Sequence, residues 1–331
     1  MNKWYKRSGN ESDVVISSRV RLARNIPGYP FPARLDNVKA QEVIDKVVDA
    51  ASCAGLDKIN FSELEPQAKA QYVERHLVSP AFATKGTARA LLVSDDESLS
   101  VMINEEDHLR IQAMGAGLCL AECMTAAAKL DALLDSRLSF SFNGERGYIT
   151  SCPTNLGCAM RLSVMLHLPA LTETGNIKGI ISAASKLGLT VRGIYGEGSE
   201  ATSAIFQISN ALSLGSTETE LMERLSSTVS RIITMERKLR RMMYDRDNMA
   251  YSDRIWRAYS TLKGARLISS KEAMKLLGEV RLAASIDDAD LPKVDTSVLS
   301  SLIMEIQPHT MGQQKAGSRD ADRAKLIREC I

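Results

Sequence analysis

Long apolar runs are missing from this chain. Nowhere does it approach the ~18 apolar residues that a membrane-spanning helix needs, and residues 1–10 are polar and aromatic with no apolar stretch or cleavage site behind them. The expectation is a cytoplasmic protein without a membrane partner. An excess of one charge sign is missing too. Lys and Arg number 42 against 40 Asp and Glu, a formal net charge of +2, too small to draw the whole chain to nucleic acid. No direct nucleic-acid partner is expected, and any basic site must be local. The six cysteines, Cys53, Cys119, Cys123, Cys152, Cys158 and Cys330, contain no C-x-x-C pair, and disulfide scaffolds belong to much smaller secreted domains. Cys119 and Cys123 would share a helical face, but Leu118, Leu120, Ala121 and Ala126 around them read as packing rather than a zinc set. No metal site is expected. The common phosphate-binding strings are absent as well: no G-x-x-x-x-G-K-[ST], no H-R-D, no D-F-G. Gly196, Gly198 and Ala201 fit a G-x-G-x-x-A with Glu218 beyond it. That fingerprint requires a helix to open at the glycines, whereas residues 204–208 alternate like a strand.

What is present is an ordinary globular composition, 44% hydrophobic and 25% charged, over 331 residues. That length exceeds the ~250–300 residues of a single core, so two domains are expected, 1–240 and 241–331. Residues 14–22 (VVISSRVRL) read as a strand and 35–54 as an amphipathic helix. Residues 89–94 and 99–103 read as an antiparallel pair, 117–134 as a long helix, and 138–142 with 148–151 as a hairpin turning at Asn143-Gly144. Residues 158–168 read as a helix, and 189–195 and 204–208 as extended. Beyond Thr217 only helices are predicted, over 221–247, 253–262, 271–283, 296–306 and 320–328. The fold class is therefore an α+β body followed by an all-helical C-terminal domain. The charged run 236–247 (ERKLRRMMYDRD) reads as a solvated helix face laced by i,i+4 pairs rather than a nucleic-acid stripe.

Arginine placement carries the chemistry. Alternation in residues 14–22 puts Ser17, Arg19 and Arg21 on one strand face, with Ile16, Val20 and Leu22 on the other. Neighbouring like charges destabilise a strand face, which suggests an anionic guest; splayed surface arginines are the alternative. Residues 104–110 (NEEDHLR) could be a helix start, where acids suit the dipole, but that leaves His108 and Arg110 unexplained. In 152–157 (CPTNLG), Thr154 or Asn155 can cap a following helix that carries Arg161, with Cys152 at its N-terminus; a purely structural cap is the alternative. Residues 192–198 hold one arginine, one central acid and glycines that admit a ligand close to the backbone.

Taken together, SSRVRLARN at 17–25, NEEDHLR at 104–110, CPTNLG at 152–157 and RGIYGEGSE at 192–200 resemble the phosphagen kinase family, over about residues 13–237 and in the right order. The closer resemblance is to its bacterial protein-arginine kinase branch. The arginine-rich strand begins almost at the N-terminus, without the small helical domain of the metabolite kinases. RDADRA at 319–324 is similar to the branch's R-D-x-x-R-A motif. The resemblance implies a large antiparallel sheet flanked by helices, and ATP-dependent phosphorylation of protein arginines that marks proteins for regulation or degradation. It implies ATP contacts at Ser17, Ser18, Arg19, Val20, Arg21, His76, Arg110, Arg161, Leu162, Ser163, Val164, Met165, Arg192, Gly193, Ile194, Tyr195, Gly196 and Glu197. Glu106 and Glu197 resemble the substrate-guanidinium carboxylates, and Cys152 the active-site cysteine. Arg319, Asp320, Ala321, Asp322, Arg323 and Ala324 resemble the phosphoarginine-binding motif; an ordinary charged helix is the alternative. Mg2+ with ATP, homodimerisation, a zinc-binding activator, a heat-shock repressor and an ATP-dependent protease also come from the resemblance alone. The loop departs from the family's usual CPTNLGTG at Cys158 and Ala159, which leaves its shape open. Two other functions remain in view: a phosphoarginine-binding adaptor with a degenerate kinase body, and a kinase of a free guanidino metabolite.

The implied mechanism is a cage of Arg19, Arg21, Arg110, Arg161 and Arg192 around the nucleotide phosphates. A protonated guanidinium has no free lone pair for phosphorus, so Glu106 and Glu197 must orient it and accept its proton.

Overall fold

The computed structural model describes residues 2–84, 88–194, 202–286, 288, 290–312 and 316–331. Its centre is β1 (Val15–Arg24), a β-branched run that pairs on both edges. The other strands are β2 (Asp57–Asn60), β3 (Ala90–Val93), β4 (Leu99–Ile103), β5 (Leu109–Ala116), β6 (Phe142–Asn143), β7 (Gly147–Tyr148), β8 (Met160–His167), β9 (Leu189–Gly193) and β10 (Ile205–Asn210). Among the described residues eight of these form one sheet in the order β2-β3-β4-β5-β1-β8-β10-β9, every pair antiparallel, and β6-β7 form a separate hairpin.

The helices are α1 (Asn37–Ala50), α2 (Pro66–Glu74), α3 (Pro80–Thr84), α4 (Leu120–Leu138), α5 (Pro169–Glu173), α6 (Ile177–Lys186), α7 (Glu218–Arg246), α8 (Asn248–Gly264), α9 (Ser270–Arg281), α10 (Thr296–Glu305) and α11 (Ala316–Cys330). One sheet face carries Val20, Leu22, Ile111, Leu162, Val164 and Ile208, buried against the apolar stripes of α1, α4, α6 and α7. On the other face Met165 and Ile205 meet a second core made by α8, α9, α10 and α11. The antiparallel sheet with flanking and C-terminal helices agrees with the expected fold class. Helix α7 opens with a capping box, Thr217 accepting from the Glu220 N–H while the Glu220 carboxylate accepts from the Thr217 N–H.

Two local expectations are corrected and one alternative is ruled out. The segment read as a helix over 158–168 is strand β8 from Met160. It is buried on both faces, which erases the alternation that marks a half-buried strand. Residues 104–107, where a helix start is only the alternative reading, form no helix. They turn the hairpin between β4 and β5, with Asn104 at φ +64 and its side chain donating to the Ala40 and Ala88 carbonyls. Ile16 does not share a face with Val20: a register shift between Val15 and Ser17 turns it into the second core. The charged run in α7 is also only partly solvated, because Glu236 and Arg240 are both fully buried and ion-paired at 2.7 Å.

Candidate active site

Register assembles the arginines. Arg21 lies opposite Arg161 of β8 and opposite Gln112 of β5, while Arg19 faces Ser163 and Met114, and Arg110 pairs with Ala23. On the far edge Gln207 of β10 lies between Met165 and Arg192. Cross-strand partners point to the same side, so one face of five adjacent strands carries Arg110, Arg19, Arg21, Arg161 and Arg192. Ser18, Val20, Leu162 and Val164 point into the opposite core, and any ligand on the arginine face meets only their backbone.

Among the described residues few acids balance this face. Arg19 donates to Ser163 Oγ and Gln207 Oε1, both at 3.3 Å, and Arg161 to Ser209 Oγ at 3.1 Å. The Nε atoms of Arg21 and Arg161 are buried without an acceptor. Desolvation and the neighbouring guanidiniums lower the Arg19 pKa to about 10 and pull Arg21 and Arg161 below the usual arginine value. A buried cationic group without an anion is costly, so the face is built for a negative guest. His76, at φ +59, lies against this cluster and is held near pKa 4 by desolvation and by Arg19, hence neutral. With Ser17, Arg19, Met114, Ser163, Met165 and Gln207 it lines a small cleft on the same face.

At the other end of β1 a cavity of about 180 Å³ is lined by Arg21, Arg110 and Arg161 together with Glu106, Cys152, Thr154, Asn155 and Ala159. The 104–108 turn is held by groups whose purpose is structural. Asp107 accepts from Asn25 Nδ2 and the Ser151 N–H, both at 2.7 Å, and Asn25 Oδ1 accepts from the His108 N–H. His108 Nδ1 accepts from the Ile26 N–H at 3.0 Å, so Nε2 carries the proton and donates to the Pro30 carbonyl. These buried bonds leave Glu106 as the acid facing the cavity, about 3.4 Å from Arg110. Burial raises the Glu106 pKa, and Asp107 and Glu105 act in the same direction; Arg110 and a hydrogen bond with Cys152 oppose it. Glu105, which sequence reasoning passed over, forms the closer pair with Arg110 at 2.6 Å and accepts from Ser79 Oγ. Gln207 and Ser209 were also missed; alternation in 205–209 (IFQIS) was their available signal.

Cys152 precedes a single three-residue turn, Pro153–Asn155, rather than the N-terminus of a long helix, and its sulfur lies 3.0 Å from Thr154 Oγ1. Thr154 and Asn155 therefore cap no helix bearing Arg161. The loop at the two departures from the usual motif is held by local contacts. Ala159 adopts φ +50, its carbonyl accepts from the Ala23 N–H, and Cys158 Sγ points to the Ser213 carbonyl. Arg24 braces it from the core side, paired to Asp131 at 2.8 Å and stacked on Tyr148. Gly193 ends β9 and Ile194 packs on the second core. Tyr195, Gly196 and Glu197 lie outside the described residues.

In α11, Arg323 is 2% exposed. Its Nε donates to the Ile306 carbonyl and its Nη1 to the Ile268 carbonyl and to Asp320. This guanidinium is an internal staple. Arg319 donates to the Pro308 carbonyl at 3.5 Å, while Ala324 is buried in the second core.

Residues 39–239 match the ATP:guanido phosphotransferase C-terminal catalytic domain, and residues 248–331 match the Protein-arginine kinase McsB C-terminal domain. A curated protein-arginine kinase of Halothermothrix orenii is 42% identical over 336 residues, covering 99% of this chain and 96% of the relative. That of Bacillus subtilis is 42% identical over 340 residues, covering 99% and 93%. Among solved structures, the duplicated taurocyamine kinase of Schistosoma mansoni with bound transition state analog components superposes with a TM-score of 0.62 at 26% identity. That match covers 78% of this chain and 38% of the duplicated one. Lombricine kinase gives 0.62 at 25% identity, covering 69% and 67%. The chain therefore belongs to the ATP:guanido phosphotransferase family, within its protein-arginine kinase branch.

Proposed function

We propose that this chain transfers the γ-phosphoryl group of ATP to the guanidinium of arginine side chains in proteins. The observation that carries the reading is the single cavity that Glu106 and Cys152 share with Arg21, Arg110 and Arg161. Phosphoryl transfer asks mainly for position and charge stabilisation. Arg19, Arg21, Arg110, Arg161 and Arg192 hold the phosphates, and His76 and Ser17 line the nucleotide's path beside them. Among the described residues no group of three or more His, Cys, Asp or Glu side chains could hold a metal ion. Mg2+ is proposed, on the resemblance, to enter as part of the Mg–ATP substrate, held by the phosphates.

The acceptor arginine docks its guanidinium against Glu106. A unit charge pair near 4 Å is worth about 4 kcal/mol at an effective dielectric of 20, enough to orient it. The guanidinium gives a proton to the Glu106 carboxylate, its nitrogen lone pair forms the N–P bond, and the P–O bond to ADP breaks. Cys152, which lines the same cavity and lowers the Glu106 pKa, steadies the carboxylate. Glu197 is proposed as the second carboxylate, on the resemblance of residues 192–200. Incubation with Mg–ATP and an arginine-rich protein should yield acid-labile phosphate on arginine. Labelling of free arginine in preference to protein would instead assign the chain to the metabolite kinases.

The two-domain division, 1–240 and 241–331, is part of the proposal, with α7 running continuously through residue 240. So is phosphoarginine binding at 319–324, in which Arg323 shapes the pocket while Arg319 and Asp320 meet the ligand. Regulation or degradation of the marked proteins, in a cytoplasmic stress response with a zinc-binding activator, a heat-shock repressor, an ATP-dependent protease and a homodimer, is proposed on the resemblance alone.

A further inference from the structure

Cys119 and Cys123 pack at the margin of the main core, as their apolar neighbours imply, and they also face each other. Their sulfurs lie 3.8 Å apart. Cys119 is the residue before α4, at φ −143 and ψ 42, so its side chain is free of helical geometry and turns toward that of Cys123 one turn on. The backbone makes room for them: a Cβ built on Gly115 would stand 2.5 Å from the Cys119 sulfur. Both thiols line a cavity of about 320 Å³ that adjoins the Arg19 cleft through Trp4 and Met114. Cys119 is half-buried there and Cys123 is 5% exposed.

The pair is also wired to β1. Ser18 Oγ accepts from the Cys119 N–H at 3.1 Å and donates to the Gly117 carbonyl at 2.8 Å, and the Cys123 thiol donates to the Ser18 carbonyl at 3.7 Å. Ser18 directly precedes Arg19.

We propose that Cys119 and Cys123 are a redox-modification site, oxidised by a hydroperoxide to an intramolecular disulfide that displaces the start of α4 and perturbs β1. The Cys119 thiolate attacks the peroxide oxygen, breaking the O–O bond, to give the sulfenic acid and hydroxide. The Cys123 thiol then attacks that sulfur, forming the S–S bond and releasing water, so that two electrons pass from the two sulfurs to the peroxide. The division of roles matches the environment. When Cys119 ionises, the Cys123 S–H turns from the Ser18 carbonyl to the Cys119 sulfur and lowers the Cys119 pKa, whereas the Cys123 thiol is held above its usual value; the thiolate is the nucleophile. Closing the sulfurs to about 2.05 Å removes the thiol donor from the Ser18 carbonyl.

Both cysteines fall on one tryptic peptide, residues 111–129. Full-length protein treated with hydrogen peroxide, then alkylated and digested without reductant, should yield this peptide two hydrogen atoms lighter and unalkylated. Dithiothreitol should restore two alkylation sites, and nucleotide affinity should fall several-fold on oxidation and recover with reductant. In Cys119→Ser, Cys123 should stay alkylated and the peroxide-dependent loss of nucleotide affinity should disappear. Alkylation of both thiols, a sulfinic acid on Cys119 beside an alkylated Cys123, a cross-link between chains, or an equal affinity loss in Cys119→Ser would each overturn the proposal.

Discussion

Arg21 of β1 and Arg161 of β8 are direct cross-strand partners, and neither guanidinium has an ion-pair partner among the described residues. Two like charges at one step of a sheet cost stability, ~0.2–1 kcal/mol on mutational scales. Binding a polyanion recovers that cost. Arg21→Gln should therefore raise folding stability by up to about 1 kcal/mol while weakening ATP binding roughly tenfold to a hundredfold, the loss of a charged hydrogen bond worth about 1.5–3 kcal/mol. Urea unfolding and nucleotide titration on the same variant read both signs. Lower stability with unchanged ATP affinity would assign Arg21 to the fold instead.

Glu106→Gln keeps the shape of the acid and removes its ability to take a proton. Phosphoryl transfer to arginine should drop by ~10²–10⁴, with ATP affinity nearly unchanged because Arg110 retains Glu105 at 2.6 Å. Single-turnover transfer of labelled phosphate, with nucleotide binding as the control, measures the split. Transfer at the parental rate would remove Glu106 from the mechanism.

The pH profile carries the same assignment. Glu106 must be ionised to accept the proton, and burial raises its pKa above the ordinary 4.5. Activity is thus present above that raised value and lost as pH falls through it, so the acid limb of kcat/KM lies higher than an exposed glutamate would set. Cys152→Ala removes an influence that lowers the Glu106 pKa and should move the limb higher still. A limb that stays in place, or moves down, would break the link between the two residues.

Ala159 holds φ +50, a conformation that costs an L-residue about 1–2 kcal/mol and costs glycine little. Ala159→Gly should stabilise the protein by about 0.5–1 kcal/mol, after the greater freedom of glycine in the unfolded chain is deducted. Thermal unfolding is the check, and no gain would mean that the loop stores no strain there.

The Glu236 carboxylate accepts from Arg240 Nε and from the Ala170 and Leu171 N–H groups, in a site with no exposure. Arg240 also donates to the His167 and Asp13 carbonyls. Breaking a buried pair on one side leaves a charge unmatched, so Glu236→Gln should destabilise the fold by about 3–5 kcal/mol, read as a lower urea midpoint. A loss below about 1 kcal/mol would show that the N–H contacts alone suffice.

The legible parts of this protein are those set by near neighbours. Period-two alternation places Ser17, Arg19 and Arg21 together, the strand signal ends at Thr217 just before α7, and the C-terminal helices follow their apolar period. The illegible parts are those where burial comes from elsewhere. Residues 161–168 (RLSVMLHL) read as a helix because β8 is covered on both faces, by α7 on one side and the C-terminal core on the other. The structural roles of Asp107 and His108 are not legible because their partners, Asn25, Ile26, Pro30 and Ser151, lie far away in sequence.

The order of residues by itself determined which side chains are basic, how they alternate and which family they mark, because those properties depend on only a few neighbouring positions. That Arg110 and Arg161 flank β1, and that Glu106 faces the cavity while Glu105 pairs with Arg110 and Asp107 braces the turn, only the tertiary structure decided. Each strand could pair with several others on its own pattern. The choice among them rests on burying two apolar cores at once, and that is a property of the whole chain.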